Sequence, residues 1–130
     1  MKFTLSWLKN HIETNSNLSI ISDTLTNIGL EVEHNENKEE EFKNFTVAKI
    51  ISAEKHPDAD RLKVCNVETV NGNFQVVCGA PNAKPGMMGV FAPTDSYIPG
   101  TKIYLKKSKI RGVESCGMLL SEREIGISDE

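Results

Sequence analysis

A run of basic residues near the end of the chain is the feature best suited to chemistry. Five cations precede the next acidic residue, Glu114, and we call them the cationic segment: Lys102, Lys106, Lys107, Lys109 and Arg111. Arginine offers a planar fork to two phosphate oxygens, whereas lysine acts as a mobile point charge. Because the whole chain carries a net charge of -3, this local excess of positive charge predicts a phosphate-binding surface.

Side-chain alternation predicts that most of these cations share one side of the fold with Tyr104. Ile103 and Leu105 alternate with Tyr104 and the neighbouring lysines, so the apolar pair would point to the core. A bulge or turn at Lys107–Ser108, followed by an inward Ile110, would keep the later cations on the same side. The alternative is an ordinary edge strand that lysines protect from aggregation.

Neutral groups could add to a phosphate-binding surface. Ser115 and the backbone N–H groups near Gly117 could contact phosphate or ribose, or the Ser115 hydroxyl could simply hold its turn together. Tyr104 and, less clearly, Tyr97 are the candidates for base stacking, because Phe45, Phe74 and Phe91 lie in apolar strand patterns. If the partner is a nucleic acid, we therefore expect its backbone charge and shape to outweigh the reading of bases.

Other polar residues point away from catalysis. Asp58 and Asp60 could suggest a metal site or an acid–base pair, but no third acid or histidine follows at ligand spacing. We expect their carboxylates to hold the turn that contains them. His56 has no nearby serine or cysteine to activate, so we expect it to pack in its loop and not to catalyse. The glycines from Gly79 to Gly89 lack the spacing of a nucleotide-binding loop. We predict no catalytic and no metal-binding residues in this chain.

Length and composition favour a small cytoplasmic protein. The 130 residues can hold one domain of ordinary size and a short extra piece. No apolar run approaches a membrane span, and the first residues lack a secretory signal. Three widely separated cysteines, Cys65, Cys78 and Cys116, indicate a reducing compartment. The acidic stretch Glu31–Glu41 is typical of a solvated linker, with an interaction tail as the alternative.

Residues 1–38 predict a small α+β segment. Phe3 and Leu5 alternate with polar neighbours, which suits a short strand. Ser6 and Ser19 are candidate caps of two helices, and Gly29 is placed to end the second helix in a left-handed conformation. One strand and two short helices cannot enclose a core alone, so we expect this segment to pack either against the second segment or against parts of the protein outside this sequence.

Residues 39–130 predict a mainly β domain. Runs such as Phe45–Ala53 and Leu62–Val70 are rich in β-branched residues, and Asn71-Gly72 between two runs is the strongest hairpin signal. Further short runs, separated by prolines and glycines, continue to Ser121. About five short strands in this length indicate a small closed or partly closed barrel, which leaves few exposed strand edges.

Three separated motifs add a family resemblance. They are His56-Pro57-x-Ala59-Asp60-x-Leu62, Val77-Cys78-Gly79-Ala80-Pro81-Asn82 and Lys109-x-Arg111-Gly112-x-x-Ser115-x-Gly117-Met118. Together they resemble the tRNA-binding OB-fold module of several tRNA-binding proteins. The opening Leu5-Ser6-Trp7-Leu8-Lys9 and the ending Met118-Leu119-Leu120-Ser121-Glu122 are similar to the bacterial phenylalanyl-tRNA synthetase beta subunit in particular.

The resemblance implies a five-stranded OB-fold barrel within an N-terminal fragment of a longer beta subunit. Residues 1–38 would be half of a discontinuous domain, and residues 39–130 the tRNA-binding domain. The family's enzyme joins phenylalanine to tRNA with ATP and magnesium as an alpha-beta heterotetramer, and its active site lies in the alpha subunit. The fragment alone would then be non-catalytic and would need no cofactor of its own.

We therefore predict an auxiliary tRNA-binding module. Its contacts would come from the cationic segment, Tyr104 and Ser115. Its partners would be tRNA, the alpha subunit and the remainder of the beta subunit, with no membrane. The alternatives are a protein–protein docking module within the synthetase and a stand-alone dimeric tRNA-binding cofactor.

Overall fold

The computed structural model describes residues Met1–Ser128, which divide into two compact units. The first unit, 1–37, holds helix α1 at Leu5–Lys9 and helix α2 at Leu18–Asn27. The second unit begins at Lys38. Among the described residues, no helix is long and apolar enough to cross a lipid bilayer.

The opening strand predicted at Phe3 and Leu5 is wrong. Leu5 begins α1, and the described part of the first unit contains helices and no strand. The physical reason is local, because the Thr4 hydroxyl accepts the backbone N–H of Trp7 at 3.1 Å. That bond satisfies a free donor of the first helical turn and favours a helix over an extended chain.

The helix ends were predicted in part. Thr4 caps α1 in place of Ser6, and Asn17 caps α2 in place of Ser19, so both caps lie two residues earlier than expected. Gly29 has a φ of +96°, which confirms the left-handed residue predicted after the second helix.

The second unit is built mostly from strands. It starts with helix α3 at Lys38–Phe42. Its strands among the described residues are β1 Thr46–His56, β2 Ala59–Thr69, β3 Gly72–Cys78, β4 Met88–Pro93, β5 Tyr97–Ile98, β6 Ile103–Tyr104, β7 Ser108–Ile110, β8 Val113–Ser115 and β9 Gly117–Leu120. The predicted hairpin is confirmed between β2 and β3, where Thr69 pairs with Gly72.

Five strands form one antiparallel sheet in the order β3-β2-β1-β4-β9. The sheet curls until its outer strand β3 meets the chain between β8 and β9. There the Cys116 N–H donates to the Gln75 carbonyl at 2.9 Å, and the Gln75 side-chain amide donates to the Glu114 carbonyl at 2.9 Å. The predicted mainly β fold with a five-stranded barrel is confirmed. The segment before it was predicted as α+β, but its described residues contain helices and no strand.

Alternation along the strands places the core inside this curl. Inward residues of β1, β2 and β3 are buried, while their neighbours are partly or fully exposed. Phe91 of β4 is 2% exposed and stacks on Phe74 with ring centroids 5.0 Å apart. Gly117 permits this packing, because a Cβ there would collide with the Phe91 ring and lie 2.7 Å from the Ala92 carbonyl oxygen.

Two short strands were not predicted. Tyr97–Ile98 and Val113–Ser115 each pair with a short neighbour, which gives the small sheets β5–β6 and β7–β8. Pairs this short carry little periodic signal, so pattern reasoning had nothing to detect. These two hairpins matter because most of the cationic segment lies on them.

Candidate nucleic-acid interface

The first small hairpin presents an exposed tyrosine pair beside a strained lysine. Tyr97 and Tyr104 face each other across β5 and β6, with ring centroids 5.1 Å apart. Tyr104 is 70% exposed, so one ring is available to a nucleobase. Lys102, in the turn, has a φ of +57°, a conformation that residues other than glycine and asparagine rarely adopt.

The predicted inward face of this hairpin is partly wrong. Ile103 was expected to point to the core but is 51% exposed. It pairs with Ile98, which is fully buried, so the short hairpin buries one isoleucine and leaves the other in solvent. Between β6 and β7 the chain leaves the sheet at 105–107, where a bulge or turn had been expected. A common side for most of the cations and Tyr104 stays a prediction.

The second small hairpin carries Arg111 at its tip. Ile110 pairs with Val113, so Arg111 and Gly112 form a two-residue loop with φ values of +49° and +86°. Positive φ at both positions defines a type I′ turn, which favours asparagine or glycine at its first position. An arginine there costs about 1–2 kcal/mol in backbone strain. The Arg111 guanidinium donates to the Asp58 carbonyl at 3.0 Å.

One cation of the segment is paired with a carboxylate. Lys107 forms an ion pair with Glu114 of β8. The hydrogen bond and charge of Lys107 lower the pKa of Glu114, and Glu114 in turn raises the pKa of Lys107. Within residues 1–128 the other four cations form no ion pair with a carboxylate: Lys102, Lys106, Lys109 and Arg111. Most of the positive charge is therefore available to an external anion.

Ser115 is buried and serves the barrel. Its hydroxyl donates to the Gly117 carbonyl at 2.9 Å and accepts the Val77 N–H at 3.1 Å. With 4% of its surface exposed, Ser115 cannot reach a phosphate, so the structural alternative accounts for this residue. The direct RNA contact predicted for it is not supported.

His56 packs within its loop, as expected from the sequence, but its hydrogen-bond partners were not foreseen. This residue ends β1 and is 2% exposed. Its Nδ1 accepts the Asp58 N–H at 3.0 Å, and its Nε2 lies 2.9 Å from the Ile110 carbonyl. The turn is therefore held by an imidazole and not, as predicted, by carboxylates, since Asp60 instead forms an ion pair with Lys55 at 2.6 Å.

An open cleft of about 630 Å³ is lined in part by Lys55 and Asp60, which flank the same turn. Lys63, another lining residue, donates to the carbonyls of Pro81 at 2.9 Å and Ala83 at 2.7 Å. The lining residues are Lys55, Asp60, Arg61, Leu62, Lys63, Gly79 and Pro81. In the described part of the chain, no group of three or more His, Cys, Asp or Glu side chains is placed to hold a metal ion.

A curled five-stranded barrel that carries exposed cations on its short hairpins is typical of the nucleic-acid-binding class of domain. The comparison with protein families makes this specific. The model described as "Putative tRNA binding domain" matches residues 45–130, and the chain belongs to that family. The resemblance noted in the sequence motifs is thereby confirmed.

The curated relatives extend the likeness to the whole chain. It is 55% identical over 132 residues to the phenylalanine–tRNA ligase beta subunit of Mesorhizobium japonicum, and 53% identical over 130 residues to that of Ruegeria pomeroyi. Each match covers all of this chain and 16% of the relative, so the chain spans about a sixth of their length. A solved structure, a Naegleria gruberi RNA ligase D172A mutant, shares the fold with a TM-score of 0.53 and 20% identity, covering 65% of this chain and 29% of that one.

Proposed function

We propose that this chain binds tRNA as an auxiliary module, through phosphate contacts from the cationic segment and stacking on Tyr104. The family match over residues 45–130 supports the ligand class. The observation that carries the contact residues is that four of the five cations form no ion pair with a carboxylate in the described chain. Backbone contacts of this kind hold RNA without reading its sequence, so the isolated module should discriminate poorly between tRNAs.

The larger protein is proposed from its relatives' names. We infer a phenylalanine–tRNA ligase beta subunit, because the matched relatives carry that name over all of this chain. Aminoacylation with ATP and magnesium, pairing with an alpha subunit in a heterotetramer and a cytoplasmic location follow from the same resemblance. In this proposal the chain contributes tRNA binding, and the chemistry belongs to the rest of the assembly.

A second function, protein docking, is favoured by the first unit. Its short helices leave large apolar side chains in solvent, including Trp7 at 56%, Ile28 at 68% and Leu30 at 62% exposure. Exposed apolar groups of this size mark contacts with another surface. Because the chain spans 16% of its relatives, we propose that residues 1–38 complete a domain with later parts of the same subunit.

Salt dependence of tRNA binding tests the electrostatic proposal. Neutralising Lys109 and Arg111 together, as Lys109→Gln with Arg111→Gln, should lower the slope of log affinity against log salt by about 1.4–1.8, at roughly 0.7–0.9 per lost phosphate contact. The loss should be similar for different tRNAs. Filter binding of the purified chain at several salt concentrations provides the measurement.

The matched control removes the same charge outside the cationic segment. Lys43→Gln with Lys49→Gln changes the net charge equally and should leave the slope nearly unchanged. A charge-reversed pair, Lys109→Glu with Arg111→Glu, should weaken binding further while the melting temperature stays close to that of the wild type. Equal slopes for all variants, or wild-type binding that ignores salt, would refute the proposal.

A further inference from the structure

A buried histidine joins the barrel to the hairpin that carries two of the cations. His56 lies in the tight turn between β1 and β2, and Ile110 is the residue just before the Arg111-Gly112 tip. The 2.9 Å contact between the imidazole Nε2 and the Ile110 carbonyl spans 54 positions of sequence. A contact of this kind fixes the place of one loop relative to another.

The hydrogen-bond pattern assigns the tautomer of the His56 imidazole. The Asp58 N–H can only donate, so Nδ1 of His56 must be an unprotonated acceptor. The proton of the neutral ring therefore sits on Nε2, which donates to the Ile110 carbonyl. Each ring nitrogen has one partner, and exchanging their roles would break both bonds.

The same turn makes a second bond to the hairpin tip. The Arg111 guanidinium donates to the Asp58 carbonyl at 3.0 Å, beside the Asp58 N–H that the imidazole accepts. The tip thus rests on the turn through two contacts, each between a side chain and a backbone carbonyl. This support offsets the strain of Arg111 at a φ of +49°, since strained residues persist where their surroundings hold them.

We propose that His56 is a positioning residue for RNA binding, which acts through the Arg111-Gly112 tip and touches no RNA itself. The inference rests on the proposed function, because it assumes that Lys109 and Arg111 contact tRNA phosphates. Holding the tip in place before RNA arrives reduces the ordering cost of binding. His56 would then determine affinity while contributing no charge.

Two substitutions separate the two bonds of the ring. In His56→Asn the side-chain oxygen occupies the position of Nδ1, so it can accept the Asp58 N–H but cannot reach Ile110. In His56→Gln the amide nitrogen occupies the position of Nε2 and can restore the bond to Ile110. We expect tRNA affinity to fall about two- to tenfold in His56→Asn, the range of one net hydrogen bond, and to stay near the wild-type value in His56→Gln.

A double-mutant cycle distinguishes positioning from general loss of structure. On the background of Lys109→Gln with Arg111→Gln, His56→Asn should cause no further loss of affinity, because the groups it positions are gone. Filter binding gives the affinities, and thermal melts show that each variant is folded. Proton–nitrogen NMR of the wild-type ring provides an independent readout, with the proton expected on Nε2.

The outcomes separate this inference from the proposed function. If wild-type protein fails to bind tRNA, the proposed function fails at that step. If the wild type binds and folded His56→Asn binds equally well, or if its effect persists in full on the neutralised background, the positioning role is refuted. Weak tRNA binding by folded His56→Gln would also refute the positioning role of His56. If His56→Asn does not fold, the affinity of His56→Gln alone tests that role.

Discussion

Lys102 offers a test in which stability and RNA binding should move in opposite directions. Its φ of +57° places a lysine in the left-handed region, and its backbone N–H donates to the Ile98 carbonyl at 2.8 Å. Asparagine tolerates this region and keeps the N–H, so Lys102→Asn should raise the free energy of unfolding by about 0.5–1 kcal/mol. For a domain of this size that corresponds to a melting temperature higher by about 2–8 °C.

The same substitution removes one cation from the proposed RNA surface. We expect the salt slope of tRNA binding to fall by about 0.7–0.9, the value of one phosphate contact. Lys106→Asn is the matched control, because Lys106 carries the same charge but is not among the positive-φ residues. It should lower the slope in the same way without raising the melting temperature.

Thermal melts and filter binding on both variants decide the outcome. A lower melting temperature for Lys102→Asn would show that the lysine side chain stabilises the turn. An unchanged salt slope in both variants would show that these cations do not meet phosphate. Either result would refute part of the reasoning, and the two parts fail independently.

Three further substitutions test other features. Glu114→Gln should free Lys107 and increase the salt slope of tRNA binding. The folded pKa of Glu114 is lowered, so the pair stabilises the fold above the ordinary carboxyl pKa, and this contribution is lost as the pH falls through the folded pKa. Glu114→Gln should therefore reduce the loss of melting temperature on acidification. Ser115→Ala should lower the free energy of unfolding by about 1–3 kcal/mol in denaturant titrations, with an unchanged salt slope, because it leaves the partly buried Val77 N–H without its acceptor. Gly117→Ala should destabilise the barrel by about 3 kcal/mol or more, since the new methyl group collides with the Phe91 ring.

Each of these predictions has a result that contradicts it. A salt slope that ignores Glu114→Gln would mean that Lys107 does not reach RNA even when unpaired. Stable Ser115→Ala protein with weakened tRNA binding would return Ser115 to the interface. Wild-type stability in Gly117→Ala would require the β4–β9 packing to differ from the structure described.

The main sheet was predictable because its strands are long and strongly patterned. Runs rich in β-branched residues locate β1 and β2, and Asn71-Gly72 locates the turn that follows. The first helix was not predictable in the same way. Two alternating residues, Phe3 and Leu5, were weighed above a threonine whose hydroxyl caps the first turn, and capping prevailed over so short a pattern.

The sequence predicted the charge of the candidate site but not the ion pair and hydrogen bonds that surround its cations. The cations are visible in the sequence, but the carboxylate that neutralises Lys107 lies across a hairpin whose second strand was missed. The role of His56 depends on a carbonyl 54 positions away. No local pattern encodes such a contact, since it arises only when the sheet curls and brings the two turns together.

The uneven distribution of charge also determines how an encounter with RNA begins. The chain as a whole carries a net charge of -3, so a polyanion approaching most of its surface is repelled. RNA that approaches the lysines and Arg111 is attracted, whereas RNA that approaches in other orientations is repelled. The acidic residues elsewhere in the chain thereby favour one orientation of the encounter. Added salt should weaken both this repulsion and the attraction to the cations.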